Sequence, residues 1–194
     1  ADYVVDTNFG ADLTIMEEAS ELVERLKNGG QIPQFTSCCP AWVRFAEIYF
    51  PELIPNLSST RSCIAMEAAM IKTYFAEKKG INPSNIVSVS VNPCTAKKAE
   101  TKREDENAAA RYPNDESLGM DTDSSITTRE FIRWIQEENL DFNAIEESQF
   151  DDLIGMETGA SIIFGNTGGV MEAAMRTAYK LITDKEPPPY ALTH

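Results

Sequence analysis

Two adjacent cysteines, Cys38 and Cys39, stand in the stretch "FTSCCPAW" of a chain that has only four cysteines. Adjacent cysteines rarely bond to each other, because the required Cα separation is hard to reach. Bridges from the pair to Cys63 and Cys94 would suit a small secreted domain, which this 194-residue chain does not resemble. The pair therefore favours metal ligation or a reactive thiol, and two buried apolar thiols are the alternative interpretation.

The setting of the cysteines favours thiolate chemistry. Pro40 predicts that a helix begins directly after Cys39, and the helix dipole stabilises a thiolate at that end. Cys94 follows Pro93 at the end of the predicted strand "NIVSVSVNPC", and a pair of lysines begins three residues later at Lys97. A nearby ammonium stabilises a thiolate or an anionic cluster, although two solvated surface lysines would give the same pattern.

Two further motifs could carry chemistry. Glu18 and Glu21 share one face of the first predicted helix, where they could pass a proton if buried, whereas an exposed acidic face is the simpler interpretation. The stretch "FGNTGGVMEAA" places glycines before a helix, where backbone N–H groups can bind an anion. It lacks the Gly-Lys-Ser/Thr end of a P-loop, and a tight strand-to-helix turn explains it equally well.

The elements that must position these residues follow from periodicity and turn residues. We predict strands at 3–6, 33–37, 85–94 and 124–127, and helices at 11–28, 40–49, 62–79, 128–138 and 170–181. The charged stretch 97–117 is predicted as an exposed helix or loop. Alternating strands and helices predict an α/β fold with mostly parallel sheets and flanking helices, in which sites form beyond the carboxyl ends of strands.

Composition excludes several classes of partner. The formal net charge is −14, from 31 acidic and 17 basic residues, so we expect neither nucleic acid nor an anionic membrane as partner. No apolar run approaches the roughly 20 residues of a membrane span. Sparse cysteines and an N-terminus without secretory features favour the reducing cytoplasm. Both ends read as interrupted, so we expect residues 1–194 to be part of a longer domain.

Four motifs in this order carry a family resemblance: "TSCCPAW", "NPCTAKKAE", "ITTRE" and "FGNTGGVMEAAMRTAY". Together they resemble the catalytic domain of the iron-only (FeFe) hydrogenase large subunit, over about residues 2–180. The resemblance implies a two-lobed fold, each lobe built on a parallel sheet with helices. It also implies an H-cluster, which is a 4Fe-4S cubane joined to a diiron subcluster that carries CO, cyanide and a dithiolate bridge.

The resemblance assigns roles to the cysteine motifs. Cys39 and Cys94 match cubane ligands, and Cys38 matches the thiol that relays protons to the bridging amine. Lys97 matches the lysine that hydrogen-bonds a cyanide, an interaction that a dry pocket would strengthen.

Other positions match the proton path and the lining of the diiron pocket. Glu18, Glu21 and Ser58 match the path from the thiol to solvent. Phe164 and Gly165 match the loop that lines the pocket, and Asn92 and Pro93 precede the second cysteine motif. The family normally has methionine where this chain has Asn92, and it has a glutamine-containing stretch near Ile64.

The implied function is the reversible interconversion of protons plus electrons with H2 in an anaerobic cytoplasm, with electrons from ferredoxin or another iron–sulfur carrier. The family's C-terminal cysteine motif and its ferredoxin-like domains lie outside residues 1–194. We therefore expect residues 1–194 alone to be inactive and to bind no complete cluster. The alternatives are a hydrogen-sensing module with low turnover and a non-catalytic iron–sulfur assembly homologue. Cys38 and Lys97 argue against the assembly homologue.

Overall fold

A computed structural model describes residues 1–152 and 158–188, which divide into two compact units. Residues 1–6 and 67–152 make up the first unit, and residues 7–66 and 158–188 make up the second. None of the described helices is long and apolar enough to cross a membrane.

Helices account for most of the regular structure. The α-helices are α1 (Asn8–Asn28), α2 (Pro40–Tyr49), α3 (Cys63–Met70), α4 (Ala76–Lys79), α5 (Lys97–Glu100), α6 (Ala108–Arg111), α7 (Thr128–Glu137), α8 (Gly159–Phe164) and α9 (Gly169–Thr183). The strands are β1 (Val89–Asn92) and β2 (Ser124–Thr127). A π-helix, Ile71–Phe75, joins α3 to α4, so the helix predicted over 62–79 is present in three segments.

In the second unit, α1 packs along α9 through small side chains. Ile15 lies against Ala173 and Ala174, and Ala19 lies against Ala178. These residues are almost fully buried, and alanines allow two helices to approach closely while excluding water. This packing fixes α1, which is the helix that carries both predicted acidic site residues.

The glycine-rich motif of this unit is a turn between two helices, so the strand-to-helix turn considered from sequence is wrong. Thr158 caps α8, and its hydroxyl donates to Asp12 of α1 at 2.7 Å. Gly168 takes a left-handed φ of 74°, and Gly169 lies so close to α8 that a Cβ there would be 1.8 Å from the carbonyl oxygen of Ile163. Only glycine fits this crossing.

In the first unit, β1 and β2 pair in parallel, from Val89 opposite Ser124 to Asn92 opposite Thr127. The parallel pairing and the flanking helices confirm the predicted α/β class, although the described residues contain a sheet of only these two strands. The predicted strand 124–127 is confirmed, and the predicted strand 85–94 is shorter. Asn85 ends a 3₁₀ turn, residues 86–88 lie outside the parallel pairing, and Pro93 lacks an N–H group.

Two predicted strands are wrong. Residues 3–6 form no strand, and Val4 pairs with the backbone and side chain of Asp151 instead of a neighbouring strand. Of residues 33–37, only Phe35 pairs, in an isolated parallel bridge with Leu57. A short extended stretch becomes a strand only where another strand is available to accept its hydrogen bonds.

The charged stretch 97–117 is also less exposed than predicted. It contains α5 and α6, and Ala109 and Ala110 of α6 are buried. The carboxylate of Asp121, which is fully buried, accepts hydrogen bonds from the N–H groups of Ala108 and Ala109 at 2.8 Å each. A carboxylate at a helix N-terminus satisfies donors that the helix itself leaves unpaired, which ties this polar segment into the fold.

Candidate functional site

The double-cysteine segment is anchored on both sides. Cys39 directly precedes α2, and its carbonyl oxygen accepts from the N–H of Val43 at 3.0 Å. The Ser37 hydroxyl donates to the carbonyl oxygen of Ser58 at 2.6 Å. Cys39 is exposed, Cys38 is partly exposed, and the structure shows no disulfide at either. The predicted position of the pair at a helix N-terminus is confirmed, and the strand expected before it is reduced to the single bridge at Phe35.

Glu18 is a buried carboxyl group in the middle of α1, with 1% of its surface exposed. The amide nitrogen of Gln34 donates to its Oε1 at 3.2 Å. The pKa of Glu18 is raised from 4.5 to about 7, chiefly by burial and to a smaller degree by the carboxylate of Glu21, while Gln34, Ser58 and Arg25 act in the opposite direction. A carboxyl with this pKa exchanges its proton near neutral pH, which an exposed acidic face would not do.

Glu21, one helical turn later, has the opposite electrostatic setting. Its Oε2 accepts from the Ser58 hydroxyl at 2.6 Å and from the Ser59 N–H at 2.9 Å, and its Oε1 accepts from Arg25. Partial burial is the largest single influence and raises the pKa of Glu21, but the hydrogen bonds from Ser58, Arg25 and Ser59 together lower it. Two carboxyl groups on one helix face therefore differ in protonation near neutral pH.

Arg25 holds the loop that presents Ser58. Its guanidinium donates to Leu57 at 2.7 Å and to further carbonyl oxygens, which belong to Gln31, Pro55 and Asn56. Side-chain exposure is 14% for Arg25 and 17% for Glu21. Sequence reasoning missed Arg25, although its i,i+4 spacing from Glu21 was a usable signal, and it missed Gln34, for which spacing offered no signal.

Phe164 and Gly165 belong to this second unit as well. Phe164 is the last residue of α8 and packs against the cluster of Ile15 and Ala173, and Gly165 follows it as the helix cap. Ile64 is the second residue of α3 and is partly buried. In the second unit, therefore, Ser58 donates directly to Glu21, and Glu21 lies one helical turn from Glu18 on α1.

In the first unit, Cys94 follows β1 and is held by Asn92. The N–H of Cys94 donates to Oδ1 of Asn92 at 3.0 Å, and Nδ2 of Asn92 donates to the Ser125 hydroxyl at 2.9 Å. Asn92 is 7% exposed, so its amide is engaged within the protein and fixes the backbone that carries the cysteine. The prediction that Cys94 follows a parallel strand is confirmed, with Pro93 between β1 and the thiol.

Lys97 begins α5 and forms a buried ion pair. Its ammonium lies 2.7 Å from Oε2 of Glu100, and both residues are less than 10% exposed. Sequence reasoning did not single out Glu100, although its i,i+3 spacing from Lys97 fits an ion pair. The neighbouring Lys98 instead pairs at the surface with Glu130, and this pairing together with hydrogen bonds from Thr127 lowers the pKa of Glu130 to about 2. One lysine of the pair is therefore buried and the other is exposed.

Comparisons with known proteins agree with these motifs. All of residues 1–194 match the family "Iron only hydrogenase large subunit, C-terminal domain". Iron hydrogenase 1 of Clostridium pasteurianum is 48% identical over 178 residues, which are 91% of this chain and 29% of the relative. The periplasmic Fe hydrogenase large subunit of Nitratidesulfovibrio vulgaris is 47% identical over 94% of this chain and 42% of the relative.

More distant relatives include a cytosolic Fe-S cluster assembly factor of Xenopus tropicalis, which is 31% identical over 91% of this chain and 37% of that relative. A solved structure of the FeFe-hydrogenase HydA1 of Chlamydomonas reinhardtii has a TM-score of 0.82 and 44% identity, over 98% of this chain and 46% of that one.

The chain spans less than half the length of these relatives. The hydrogenases among them are enzymes, and another solved FeFe-hydrogenase structure, which is 44% identical with a TM-score of 0.80, concerns the stepwise assembly of an H-cluster. Because the family match covers every residue, the chain belongs to the iron-only hydrogenase large subunit family, in its C-terminal domain.

Proposed function

We propose that the full-length protein interconverts protons plus electrons with H2 at an H-cluster, and that this chain is one part of its catalytic domain. In this proposal electrons arrive from ferredoxin or another iron–sulfur carrier. The observation that carries it is the buried carboxyl of Glu18, whose pKa is raised to about 7. A buried group that exchanges its proton near neutral pH is useful to an enzyme that moves protons. In a protein without such a function, it would only lower the stability of the fold.

Cys39 and Cys94 are the proposed cubane ligands. Cysteine thiolates are the ligands that hold 4Fe-4S clusters, and a cubane takes four of them. The two cysteines therefore fit the group in kind and supply half the donor set. Within residues 1–152 and 158–188, no group of three or more metal-binding side chains is present. We expect the other thiolates to come from the part of the domain outside this chain, and residues 1–194 alone to be inactive.

Protons would travel through the second unit. Cys38 is the proposed donor and acceptor next to the cluster, and Glu18 holds the proton inside the protein near neutral pH. The Ser58 hydroxyl can accept one proton and release the proton that it already carries, and it donates to Glu21 at 2.6 Å. Glu21 reaches the partly exposed end of the path. The cluster, when bound, supplies the redox chemistry.

The remaining residues would shape the pocket. Lys97 is the proposed partner of a cluster cyanide, and its ion pair with Glu100 would hold the ammonium in place. Phe164, Gly165 and Pro93 are proposed to line the diiron site. Asn92 would act through Cys94, because its amide is hydrogen-bonded within the protein.

A second candidate function is hydrogen sensing with little turnover. Asn92 favours it, because a polar amide stands where the resemblance implies methionine, and such a change alters the surroundings of the cluster. An assembly-type homologue is the weaker alternative, because Cys38 and Lys97 match the hydrogenase pattern. We propose a cytoplasmic location on the grounds of the sequence, because a chain with only four cysteines is typical of a reducing compartment. Its net charge of −14 supports partners other than nucleic acid or anionic membranes.

The test uses the full-length protein, produced without oxygen together with the family's maturation enzymes. Infrared bands of metal-bound CO and cyanide with rapid H2 turnover would support the hydrogenase. Bands with almost no turnover would support the sensor. The absence of bands, when a control hydrogenase matures normally, would contradict both and favour the assembly-type homologue.

The proton path has its own test in the same preparation. We expect Glu18→Gln to lower H2 turnover by roughly 100-fold or more, because general acid–base groups contribute at least that much. The matched control is Glu17→Gln, which changes the neighbouring exposed carboxylate and should leave turnover unchanged. Equal turnover in both variants would remove Glu18 from the path.

A further inference from the structure

Gln34 is buried against Glu18 and contacts it twice. Its amide nitrogen donates to the backbone carbonyl oxygen of Glu18 at 3.1 Å and to Oε1 of the same residue at 3.2 Å. Gln34 is 8% exposed and Glu18 is 1% exposed, so both polar groups lie away from bulk water. One NH2 group thus joins the main chain and the side chain of a single acidic residue.

We infer that Gln34 is a positioning residue, which holds the Glu18 carboxyl in one orientation and leaves Oε2 as the oxygen that gains and loses the proton. This inference rests on the proposed role of Glu18 in the proton path. It identifies the atom of Glu18 that carries the proton, because only one of the two carboxyl oxygens would exchange protons.

The orientation of the Gln34 amide follows from its partners. A backbone carbonyl oxygen can only accept a hydrogen bond, so the group of Gln34 that faces Glu18 O must be the NH2. The same NH2 therefore also faces Oε1 of Glu18, whether the carboxyl is ionised or protonated. A proton on Oε1 would point at another donor, so the proton belongs on Oε2.

Two unsatisfied atoms agree with this assignment. Oε2 of Glu18 and Oε1 of Gln34 are buried and have no hydrogen-bond partner among the described residues. The Ser58 hydroxyl gives its hydrogen to Glu21 at 2.6 Å, which leaves Oε2 of Glu18 without a fixed donor. An oxygen of this kind binds a proton more readily than Oε1, which already accepts from Gln34.

The charges that act on this carboxyl come from its own helix. Glu21 disfavours the ionised form of Glu18 and Arg25 favours it. Gln34 donates to the carboxyl and favours its ionised form. The Ser58 hydroxyl, whose one hydrogen points at Glu21, lies close enough to favour the ionised form as well. Replacing Gln34 by an apolar residue of similar length should therefore raise the pKa of Glu18 further without changing any charge.

The experiment is a pH titration of the full-length protein without a bound cluster, so that it requires no H2 turnover. The infrared C=O band of the protonated carboxyl gives the midpoint, and its loss in Glu18→Gln assigns the band. We expect Gln34→Met to move the midpoint upward by about one pH unit, because it removes a hydrogen bond to a charged group. Gln136→Met, at an exposed position, should leave the midpoint unchanged.

A second measurement needs no substitution at Gln34. With ¹⁵N-labelled glutamine, the side-chain amide signal of Gln34 should shift at the same midpoint as Glu18, and this shift should vanish in Glu18→Gln. An amide signal that does not respond to pH would overturn the inference even if Gln34→Met failed to fold. An unchanged midpoint in a folded Gln34→Met would also overturn it.

The two proposals can fail separately. A midpoint shift in a protein that shows no hydrogen chemistry would support the positioning role and contradict the proposed function. Normal turnover with no midpoint shift would support the proposed function and contradict the positioning role of Gln34.

Discussion

The hydroxyl of Ser58 lies 2.6 Å from Oε2 of Glu21, although 37 residues separate them in the chain. This bond joins α1 to the loop that precedes α3. It also separates the two acidic residues chemically, because Glu21 receives strong donors and Glu18 does not. Together with the burial of Glu18, this gives one carboxyl with a lowered pKa and one with a pKa raised to about 7 on the same helix face.

Glu18 should make the stability of the protein depend on pH. Its pKa is raised from 4.5 to about 7, so its contribution to the free energy of unfolding is complete below about pH 4.5 and is lost as the pH rises through about 7. We expect Glu18→Gln to be more stable than the parent at pH 8, on the order of 2 kcal/mol, with the difference vanishing towards pH 4.5. Urea unfolding at several pH values measures this.

The control for this titration is the exposed neighbour Glu17. The stability difference between Glu17→Gln and the parent should not vary over the same pH range. A constant difference for Glu18→Gln as well would show that the pKa of Glu18 is the same in the folded and the unfolded protein.

Gly169 should be irreplaceable at the contact between α8 and α9. A Cβ at this position would lie 1.8 Å from the carbonyl oxygen of Ile163, so Gly169→Ala must push the two helices apart. We expect a loss of about 3 kcal/mol or more in the free energy of unfolding, at the upper end for overpacking. The exposed Gly159 has nothing within 4 Å of its Cβ position, so Gly159→Ala should be neutral. Equal thermal unfolding midpoints for the two variants would refute the close approach.

Asn92 and Ser125 should be energetically coupled. Asn92→Ala removes both the bond to the Ser125 hydroxyl and the bond to the N–H of Cys94, and we expect it to cost about 1–2 kcal/mol. A double-mutant cycle with Ser125→Ala should return a coupling energy of about 1 kcal/mol. Asn143→Ala, at an exposed position, is the control. Additive effects would mean that the two side chains do not interact in solution.

The two adjacent lysines should respond very differently to the same substitution. Lys97→Met leaves the buried carboxylate of Glu100 without its partner, and we expect a loss of about 3 kcal/mol. Lys98→Met removes only a surface pair with Glu130 and should have little effect. Replacing Glu100 by leucine in the Lys97→Met background should restore part of the loss, because no unpaired charge remains buried. Similar losses for both single variants would contradict the burial of Lys97.

Local signals predicted most of the helices correctly. Pro40 predicted the start of α2, whose observed bounds are the predicted ones, and the helix ends predicted at residues 28 and 79 are observed, with Gly29 and Gly80 as the caps. Thr127 caps α7 through a capping box with Glu130, and α7 begins at Thr128, the first residue of the predicted range 128–138. These features depend on neighbouring residues, so sequence alone can determine them.

Strands and hydrogen-bond partners were predicted less well, because they depend on residues that are distant in the sequence. Whether residues 3–6 and 33–37 form strands depends on a neighbour that accepts their hydrogen bonds, and spacing does not reveal that neighbour. The same limit hid Gln34, whose two bonds reach back 16 residues to Glu18.

The residues that can carry chemistry were therefore determined by the sequence itself: the paired cysteines, the Pro-Cys motif with its lysines, and two glutamates one turn apart. Their side-chain types and helical spacing are local properties. Only the tertiary structure decided that Glu18 is buried and Glu21 is hydrogen-bonded, and that Lys97 is buried and Lys98 is exposed. Burial and long-range donors set the protonation state of a carboxyl, and both arise only when distant segments pack together.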